Sequence, residues 1–415
     1  MKILHINAHL NFQGGIETYL LSLMPRLEEL GHSQVVAFSE GHAELAPHAH
    51  QIQGLSDFGA KAEKAGYARF SRLLEAERPD VVHLHNIHNI GPIRACLDTV
   101  PTVVTAHDYR YICPASNFYF RRTAEVCPSN CGPHCFSNAV VKRCLTPRPG
   151  IAWNYYRRVK WIAANSHRFA NVIAPSGYAA SRYVQSGFST DQVDVLPYFC
   201  PMLPEATPRS LPDQQNIVFL GRLSENKGVR YFIEALGLLP ESVRGLVVGN
   251  LNSARTDELQ NLATQSNCRG RLEMRAWAGR DEIRSIIKNA SLLVFPSIWA
   301  ETLGIVGLEA LACGVPAVAS DIGGVREWLH HGENGLLVPP KDKHAFAEAI
   351  REILDNPQRA QQMGERGIAL VKSKFSVERH LDGLVDIYTE ACGKEKDEVA
   401  KSMTSELEHR VSDAV

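Results

Sequence analysis

The sequence has almost no net charge. Its 415 residues include 44 Lys and Arg against 45 Asp and Glu, which gives a formal charge of -1 at pH 7. No global electrostatic field therefore draws the protein to nucleic acid, and we expect no nucleic-acid partner. Any contact with an anionic surface must come from a local group of basic residues.

Long apolar runs are also absent from the sequence. No stretch approaches the roughly 20 apolar residues that a membrane-spanning helix needs. The opening, MKILHINAHL, is a short apolar run that includes His and Asn, which is not typical of a secretion signal. We therefore expect a cytoplasmic protein.

One local group of basic residues lies in the segment PRPGIAWNYYRRVKWIAANSHRFANVIAPS. Its aromatic residues are mixed with Arg157, Arg158 and Lys160 on a predicted helix, a composition that suits an anionic membrane surface. An amphipathic helix with a solvated basic face is the interpretation that we prefer. Peripheral contact at the inner membrane face stays the alternative, and a lipid-linked acceptor would then bind here.

The length and the 45% hydrophobic content favour two domains of about 200 residues each. The run KILHINA reads as a strand that is followed by a loop and a helical pattern, and NIVFLGRLSENKG repeats this order in the second half. Two such starts predict an α/β protein in which two Rossmann-like domains face each other across a cleft.

Composition along the chain sets the expected boundaries. A proline-rich polar stretch separates the halves, and the C-terminal end is highly charged with a weak helical pattern. The predicted segments are an N-terminal domain at 1–200 with a cysteine-rich insert at 113–144, a linker at 201–215, a C-terminal domain at 216–374, an amphipathic helix at 375–392 and a charged tail at 393–415.

The strongest chemical signal is the stretch PSIWAETLGIVGLEALACGVPAVASD, which runs from Pro296 to Asp321. Glu301 and Glu309 lie in it, separated by seven residues, on a loop that enters a short apolar helix closed by Gly314. A carboxylate among apolar residues is costly to bury unless it meets hydrogen-bond donors, and sugar hydroxyls would serve. The alternative is a solvated Glu301 and a Glu309 that pairs with a buried Arg.

The start of the same helix suits an anion. The N–H groups of Leu303, Gly304 and Ile305 lie at the positive end of the helix, and Gly304 and Gly307 remove side chains that would keep an anion away. The stretch therefore predicts a nucleotide-sugar site, with the phosphate at the helix start, one Glu at the transferred sugar and the other at the ribose.

Two other turns carry candidate ligand contacts. Arg222 and Lys227 flank a turn at a strand end, where two cations could neutralise a departing diphosphate without a metal. A solvated turn with ordinary charges is the alternative. Gly14 and Gly15 lie at the first strand-to-helix turn and either let the backbone approach a ligand or mark an ordinary turn.

The strand TVVTAHD ends in His107 and Asp108. Ligands lie at the carboxyl ends of strands in open parallel sheets, so we expect His107 to face the cleft. A helix-capping Asp108 beside a structural histidine is the alternative. The histidines of the strand DVVHLHNIH are explained by alternation along a strand without a metal ion.

Five of the 10 cysteines lie in the insert at 113–144, where His134 lies among them. They are Cys113, Cys127, Cys131, Cys135 and Cys144. The C-x3-C-x3-C spacing is close to metal-binding patterns but matches no standard zinc finger. A structural metal ion (zinc by preference), reduced thiols and disulfides all stay open, and a cytosol disfavours the disulfides.

The stretch from Pro296 to Ser320 resembles PSxxxETLGxxxxEAxAxGxPVVAS, the donor-site signature of retaining glycosyltransferases of the GT-B fold. This family 4-type group includes glycogen synthases and many lipopolysaccharide mannosyl- and glucosyltransferases. The resemblance covers about residues 1 to 392 apart from the cysteine-rich insert. It implies transfer of a hexose from a nucleoside-diphosphate sugar to a glycan, lipid-linked or small-molecule acceptor, with retention, in polysaccharide or glycoconjugate biosynthesis and with no cofactor required for catalysis.

The resemblance also implies roles for single residues. It places the donor phosphates beneath the glycine loop of the first domain, the acceptor under the cysteine-rich insert, and the helix at 375–392 against the N-terminal domain. The implied catalytic residues are Glu301, His107, Arg222 and Lys227. The implied donor-binding residues are Gly14, Gly15, Glu309, Thr302, Leu303, Gly304, Ile305, Ala276 and Trp277.

Three other kinds of protein are the alternatives to such a transferase. A sugar phosphorylase would need a Lys-linked pyridoxal phosphate, which no feature singles out. A nucleotide-sugar 2-epimerase has no need of a cysteine-rich cover over an acceptor. A non-catalytic nucleotide-sugar-binding partner would be expected to lose one of the four charged residues Arg222, Lys227, Glu301 and Glu309, and the sequence has all four.

Overall fold

The computed structural model describes residues 1–11, 15–46, 48–202, 204, 212, 214–277 and 279–393. Gly14, most of the predicted linker and residues 394–415 of the predicted tail lie outside the described residues.

The first half contains a seven-stranded sheet with the order β11-β10-β7-β6-β1-β3-β5, and all its recorded strand pairs are parallel. Its central strands are apolar and buried, as expected where helices cover both faces of a parallel sheet. The described strands of this half, of which β2, β4, β8 and β9 lie outside that sheet, are β1 (Lys2–Ile6), β2 (His9–Leu10), β3 (Ser33–Phe38), β4 (Glu40–Gly41), β5 (Ala49–Gln51), β6 (Val81–Leu84), β7 (Thr102–Thr105), β8 (Tyr119–Phe120), β9 (Glu125–Val126), β10 (Asn171–Ala174) and β11 (Val193–Val195). The helices are α1 (Gly15–Glu29), α2 (Ala60–Glu77), α3 (Ile90–Thr99), α4 (His134–Val141), α5 (Pro149–Ala164) and α6 (Gly177–Gln185).

The second half contains a six-stranded sheet with the order β14-β13-β12-β15-β16-β17, again with parallel pairs. Two parallel α/β sheets in succession confirm the predicted fold class of two Rossmann-like domains. The strands are β12 (Asn216–Leu220), β13 (Arg244–Gly249), β14 (Leu272–Ala276), β15 (Leu292–Phe295), β16 (Ala317–Ser320) and β17 (Gly335–Val338). The helices are α7 (Val229–Leu236), α8 (Ser253–Gln265), α9 (Arg280–Lys288), α10 (Ile305–Ala312), α11 (Lys343–Leu354), α12 (Pro357–Lys374) and α13 (Val377–Ala391).

Helix α13 packs on the first domain although it follows the second domain in the chain. The Tyr388 hydroxyl lies 2.6 Å from Nδ1 of His83 on β6, and His380 Nδ1 lies 2.7 Å from the Pro197 carbonyl oxygen. The apolar face of α13, which includes Leu384, joins a buried cluster with residues of both domains, among them Ile3 and Trp328. The cluster therefore ties the second domain to the first.

Helix α5 carries the basic and aromatic residues that raised the question of membrane contact. Arg158 is buried, and Arg157 forms an ion pair with Glu63 on α2, so neither points freely to a surface. Trp153 is exposed. Within the described residues, no helix combines the length and the apolar character that are needed to cross a membrane.

Truncation of the buried face of α13 should destabilise the protein. Leu384 is fully buried, so Leu384→Ala should lower the free energy of unfolding by about 2–5 kcal/mol through the lost burial and the cavity left behind. The exposed Asp382 lies on the same helix, and Asp382→Ala should change the value by less than about 0.5 kcal/mol. Denaturant unfolding measures both variants, and equal values would contradict the docking of α13.

Candidate active-site cleft

Glu301 is buried in the loop between β15 and α10, with 2% of its surface exposed. Its Oε1 atom accepts hydrogen bonds from the Lys227 ammonium at 2.6 Å, from the Trp299 indole N–H at 2.7 Å and from the Ser297 hydroxyl. Three donors offset much of the cost of burying the carboxylate. All three recorded bonds go to the same oxygen atom, which fixes the orientation of the carboxylate.

Lys227 belongs to the turn that follows β12, and two features hold this turn against the Glu301 loop. Gly228 has a φ of +71°, and a Cβ atom there would collide with the Pro296 carbonyl. The Ile298 N–H donates to the Asn226 carbonyl at 2.9 Å. The motifs GRLSENKG and PSIWAETLG therefore lie together, although 74 residues separate Lys227 from Glu301.

The Lys227 ammonium is also enclosed by aromatic rings. It lies 5.1 Å from the ring centre of Trp299 and 5.9 Å from that of Phe295, distances typical of cation–π contact. Burial lowers the pKa of Lys227, the Glu301 carboxylate acts in the opposite direction, and Arg222 lowers the pKa further. The partly buried ammonium keeps donors beyond the one that Glu301 accepts.

The space beside the two predicted anion-site glycines is occupied by Trp328. A Cβ atom at Gly307 would collide with the indole of Trp328, whose N–H donates to the Leu303 carbonyl at 2.8 Å. The prediction that Gly307 clears space for an anion was therefore wrong, because this glycine makes room for a neighbouring side chain. Gly304 has a φ of +103° and is the N-cap residue directly before α10.

The start of α10 faces the start of α1 across the cleft. A Cβ atom at Gly15 would lie 3.7 Å from Cδ1 of Ile305, so the first turns of two helices from different domains meet there. The first N–H groups of both helices point out of their helices at these ends. Glu309 lies one turn after Ile305, on the same side of α10, and is half-buried.

The remaining predicted residues lie at the same edge of the second sheet. Arg222 follows β12, Ala276 ends β14, and Trp277 comes directly after it, with Arg222 and Trp277 exposed. Because the strands are parallel, their carboxyl ends and the Glu301 loop share one edge. Their contacts with a donor stay predictions.

The His107 imidazole lies in a buried row of hydrogen-bonded rings rather than in open space. The histidine row consists of Gln34, His5, His85, His107 and Tyr198, with successive contacts of 2.8, 3.1, 2.9 and 2.8 Å. It runs from β3 through the carboxyl ends of β1, β6 and β7 to the segment before the linker.

The direction of every hydrogen bond in the histidine row follows from Gln34. Its amide N–H₂ donates to the His32 carbonyl, so its oxygen accepts from His5 Nε2–H. Each of the three neutral rings then carries its proton on Nε2. Nδ1 of His5 accepts from Nε2–H of His85, and Nδ1 of His85 accepts from Nε2–H of His107. The Tyr198 hydroxyl donates to Nδ1 of His107. Both ring nitrogens of His107 are therefore engaged inside the domain.

Burial keeps these rings neutral. It lowers the pKa of His107 to about 3 and that of His5 to about 4, and it lowers the pKa of His85 as well. His5, His83 and His85 bring nitrogens within 4.8 Å of one another, which is close enough for a metal ion. Their recorded hydrogen bonds already use these nitrogens, so the network accounts for the cluster without one.

The backbone of His107 connects the two domains. Its carbonyl accepts a hydrogen bond from the Thr302 hydroxyl at 3.2 Å. A second link lies nearby, where the N–H of Gly177 at the start of α6 donates to the Glu327 carboxylate at 2.9 Å. Residues next to Glu301 are therefore anchored to the first domain.

Several residues of the cleft were missed by the sequence reasoning. Ser297 and Trp299 lie within the recognised stretch, at positions i-4 and i-2 from Glu301, but nothing in their spacing shows that they bind its carboxylate. Gln34 left one weak signal, a polar residue within the apolar strand SQVVAF. Trp328 and Tyr198 come from distant segments and gave no local signal.

Two family models match successive parts of the chain. One is described as Glycosyltransferase Family 4 and matches residues 13–199, and the other is described as Glycosyl transferases group 1 and matches residues 206–369. Between them they span most of the chain.

Two curated relatives are similar in sequence. Alpha-D-kanosaminyltransferase of Streptomyces kanamyceticus is 28% identical over 293 residues, which cover 70% of this chain and 71% of that protein. D-inositol 3-phosphate glycosyltransferase of Paenarthrobacter aurescens is 29% identical over 237 residues, which cover 54% of this chain and 57% of that protein.

Solved structures share the fold over nearly the whole chain. The Anabaena protein HepE, in complex with UDP and glucose, superposes with a TM-score of 0.72 at 18% identity and covers 94% of this chain and 100% of that chain. Sucrose-phosphate synthase of Thermosynechococcus elongatus superposes with a TM-score of 0.73 at 20% identity and covers 94% and 98%. These likenesses confirm the predicted GT-B fold.

Acidification should destabilise the protein through its buried histidines. Unfolded histidines bind protons below a pKa of 6.5, but folded His5, His107 and His380 do so only near pH 3 to 4. The unfolded state then binds more protons, so stability is full above pH 6.5 and falls below it. Each such histidine should cost about 1.3 kcal/mol between pH 7.5 and 5.5.

Denaturant unfolding at the two pH values measures this loss. His380→Gln should reduce the loss by about 1.3 kcal/mol, whatever its effect on stability at pH 7.5. His344 is exposed on α11, and His344→Gln should leave the loss unchanged. A stability that does not change between the two pH values would contradict the burial of neutral histidines.

Proposed function

We propose that the chain is a glycosyltransferase of the GT-B fold, since two glycosyltransferase family models match successive parts of it. We propose further that it moves a hexose from a nucleoside-diphosphate sugar to a glycan, lipid-linked or small-molecule acceptor, with retention of the anomeric configuration and in polysaccharide or glycoconjugate biosynthesis. The observation that carries this proposal is the buried contact of Lys227 with Glu301 beside the start of α10, where the two domains meet.

The cations and helix N–H groups of the cleft suit a diphosphate. Lys227 has donors to spare, Arg222 lies at the same sheet edge, and the N–H groups of Leu303, Gly304 and Ile305 lie at the positive end of α10. Together they stabilise the negative charge that develops on the diphosphate as it leaves an oxocarbenium-like sugar. They are in place before the donor arrives, so little reorganisation is needed.

The carboxylates of Glu301 and Glu309 accept hydrogen bonds from hydroxyl groups of the donor. Because Lys227, Trp299 and Ser297 all bind Oε1 of Glu301, the Oε2 atom is left to orient the transferred sugar. Glu309 holds the ribose from the same side of α10. The sequence offers no second carboxylate at the place that a covalent intermediate needs, so the acceptor attacks the face that the diphosphate leaves.

His107 is proposed to border the donor sugar with a ring that the histidine row holds in place. Both of its nitrogens are engaged by His85 and Tyr198, so a hydrogen bond from the ring to the sugar requires one of these partners to give way. The hydrogen bond of its carbonyl to Thr302 keeps the ring close to the Glu301 loop. Closure of the domains then gates the reaction.

The first test is nucleotide binding measured by thermal unfolding. HepE was solved with UDP, so UDP is tested first, followed by GDP and ADP. A nucleotide at a hundredfold its Kd should stabilise the protein by about 2.7 kcal/mol. The shift should disappear in Lys227→Ala and Glu309→Ala, since the first removes a phosphate contact and the second a ribose contact.

Two exposed residues outside the cleft supply matched controls. Lys372→Ala on α12 and Glu348→Ala on α11 remove the same side chains and should keep the full shift. Each shift is compared with the same variant without nucleotide, because Lys227→Ala also leaves the Glu301 carboxylate without its ion-pair partner. If none of the three nucleotides stabilises the protein against thermal unfolding, the result would contradict the proposed donor site.

The stereochemistry can be tested without the natural acceptor. The protein is incubated with the α-linked nucleotide sugar that binds, in the presence of methanol, and the methyl glycoside is identified by the coupling constant of its anomeric proton. Retention yields the α-glycoside, and Glu301→Gln should lower its rate of formation by about 100-fold or more. A β-glycoside would contradict the proposed attack on the face that the diphosphate leaves.

A further inference from the structure

A cavity of about 1140 Å³ lies where the cysteine-rich insert meets the start of α5. The first domain forms most of its wall through the loops after β6 and β7, the turn of the β8–β9 hairpin, the end of α4 with the loop that follows it, and α5. Glu225 borders the cavity from the second domain and begins the turn that carries Lys227. The cavity therefore reaches the turn that forms one side of the cleft.

Arginine is the main charged residue in the wall of this cavity, which we call the arginine cavity. Glu225 is the only carboxylate among the described residues that line it. The lining arginines are Arg110, Arg121, Arg122 and Arg143.

Three of these arginines have no carboxylate partner. Arg110 is paired, because its guanidinium donates to both oxygens of Asp108, at 3.0 and 2.7 Å. Within the described part of the chain, no ion pair is recorded for Arg121, Arg122 or Arg143, and all three are exposed. An exposed arginine is ordinarily solvated by water, so these three residues alone do not show a binding site.

The buried guanidinium of Arg158 is a second, independent observation. Arg158 lies on α5 one turn after Tyr155, which lines the cavity, and its Cζ atom is 5.1 Å from the centre of the Tyr155 ring. Its Nη2 atom donates to the Cys113 carbonyl at 3.5 Å, whereas Nε and Nη1 have no hydrogen-bond partner among the described residues. Buried donors without an acceptor are costly, and a bound anion would offset that cost.

The charge of Arg158 is felt at the wall of the arginine cavity. Burial lowers the pKa of His88, a lining residue, to about 2, and the charges of Arg110 and Arg158 act in the same direction. Burial and Arg110 lower the pKa of Arg158 to about 10, so its guanidinium stays protonated at neutral pH. Because Asp108 is already paired with Arg110, the charge of Arg158 is left uncompensated behind the wall.

We propose that the arginine cavity binds a phosphate or diphosphate group of the acceptor. The paired N–H donors of guanidinium groups match phosphate oxygens, and clusters of arginines are a recurrent means of phosphate recognition. A carboxylate would bring a single negative charge, whereas a phosphate monoester carries about -1.5 to -2 at pH 7. Several uncompensated arginines therefore favour phosphate.

Phosphate binding in the arginine cavity does not depend on the donor site. The assignment of that phosphate to an acceptor rests on the proposed transferase activity.

Backbone contacts hold two of the arginines on neighbouring segments of the insert. The N–H of Arg122 donates to the Lys142 carbonyl at 3.1 Å, and the Arg122 guanidinium donates to the Val141 carbonyl at 3.4 Å. Arg143 directly follows Lys142 in the chain. The hairpin turn and the loop after α4 therefore present their arginines to the same space.

The second domain closes the other side of this space. Glu225 borders the cavity, and the Lys341 ammonium donates to the Thr123 carbonyl in the hairpin turn at 3.4 Å. An acceptor whose phosphate is held by the first domain would thus lie against the turn that carries Lys227. Domain closure would then bring it towards the donor sugar.

The outer rim of the arginine cavity is apolar. Val140 and Ile151 line it although 64% and 38% of their surfaces are exposed. Phe136 and Trp153, on the same two helices, stack with their ring centres 6.1 Å apart. A hydrocarbon chain could lie on this rim, so the phosphate can come from a lipid headgroup or from a soluble sugar phosphate.

Isothermal titration of the full-length protein with inorganic pyrophosphate tests the arginine cavity. Excess UDP is present so that the proposed donor site is filled. Arg121→Ala, Arg122→Ala and Arg143→Ala should each weaken pyrophosphate binding by about tenfold, since each removes a charge-assisted hydrogen bond. All three side chains are exposed, so the variants should fold.

Exposed arginines outside the cavity supply the controls. Arg72→Ala on α2 and Arg379→Ala on α13 should keep the full affinity, as should Arg222→Ala in the proposed donor site. No pyrophosphate binding, or equal affinity in all the variants, would overturn the proposal. Binding that is lost in Arg222→Ala and kept in the three cavity variants would do so too, because the anion would then lie in the donor cleft. The nucleotide-binding test reads the donor site alone, so failure of either proposal is seen separately.

A second measurement identifies the source of the phosphate. The protein is sedimented with phosphatidylcholine vesicles that contain or lack phosphatidic acid, and glucose 1-phosphate is titrated in solution. Sedimentation that needs phosphatidic acid and is lost in Arg143→Ala assigns a lipid phosphate. Binding of glucose 1-phosphate without sedimentation, again lost in Arg143→Ala, assigns a soluble acceptor. If neither probe binds, or if Arg143→Ala binds them as tightly as the unaltered protein, the acceptor assignment is wrong.

Discussion

The buried ion pair of Lys227 with Glu301 is the interaction on which the cleft depends. It joins the turn after β12 to the loop after β15, and the same carboxylate oxygen binds Trp299 and Ser297. Such a pair adds little net stability, because desolvation offsets much of the attraction. Removal of Lys227 leaves the buried Glu301 carboxylate without its cation and should cost about 3–5 kcal/mol. The pair therefore defines position more than stability, and both motifs keep one geometry in the absence of a ligand.

The first domain contains a row of neutral histidines whose hydrogen bonds all run in one direction. Gln34 sets that direction from β3. The His107 backbone carbonyl separately accepts a hydrogen bond from the Thr302 hydroxyl of the second domain. Helix α13 closes the domain from behind through Tyr388 and His380. Rings that lie this deep stay uncharged, so the histidine row itself carries no positive charge.

Much of the fold was predictable from local pattern. Apolar strands that alternate with helical stretches predict two parallel α/β sheets, and the structure contains both. The loop from Pro296 to Gly304 and the turn at Lys227 could be proposed as parts of a site, because each has its own signal in the sequence. The role given to Gly307 was wrong, since an open position in the sequence says nothing about the distant indole that fills it. Gln34 and Trp328 escaped notice for the same reason.

The sequence by itself determined the fold class, the two strand–turn–helix starts and the charged residues available for a donor site, because periodicity and turn chemistry act over a few residues. Only the tertiary structure decided which of those charges touch. Lys227 meets Glu301, the ring nitrogens of His107 turn inward, and arginines from three segments line one cavity. These outcomes depend on contacts between segments far apart in the chain, where burial and the need to pair every buried polar group select one arrangement.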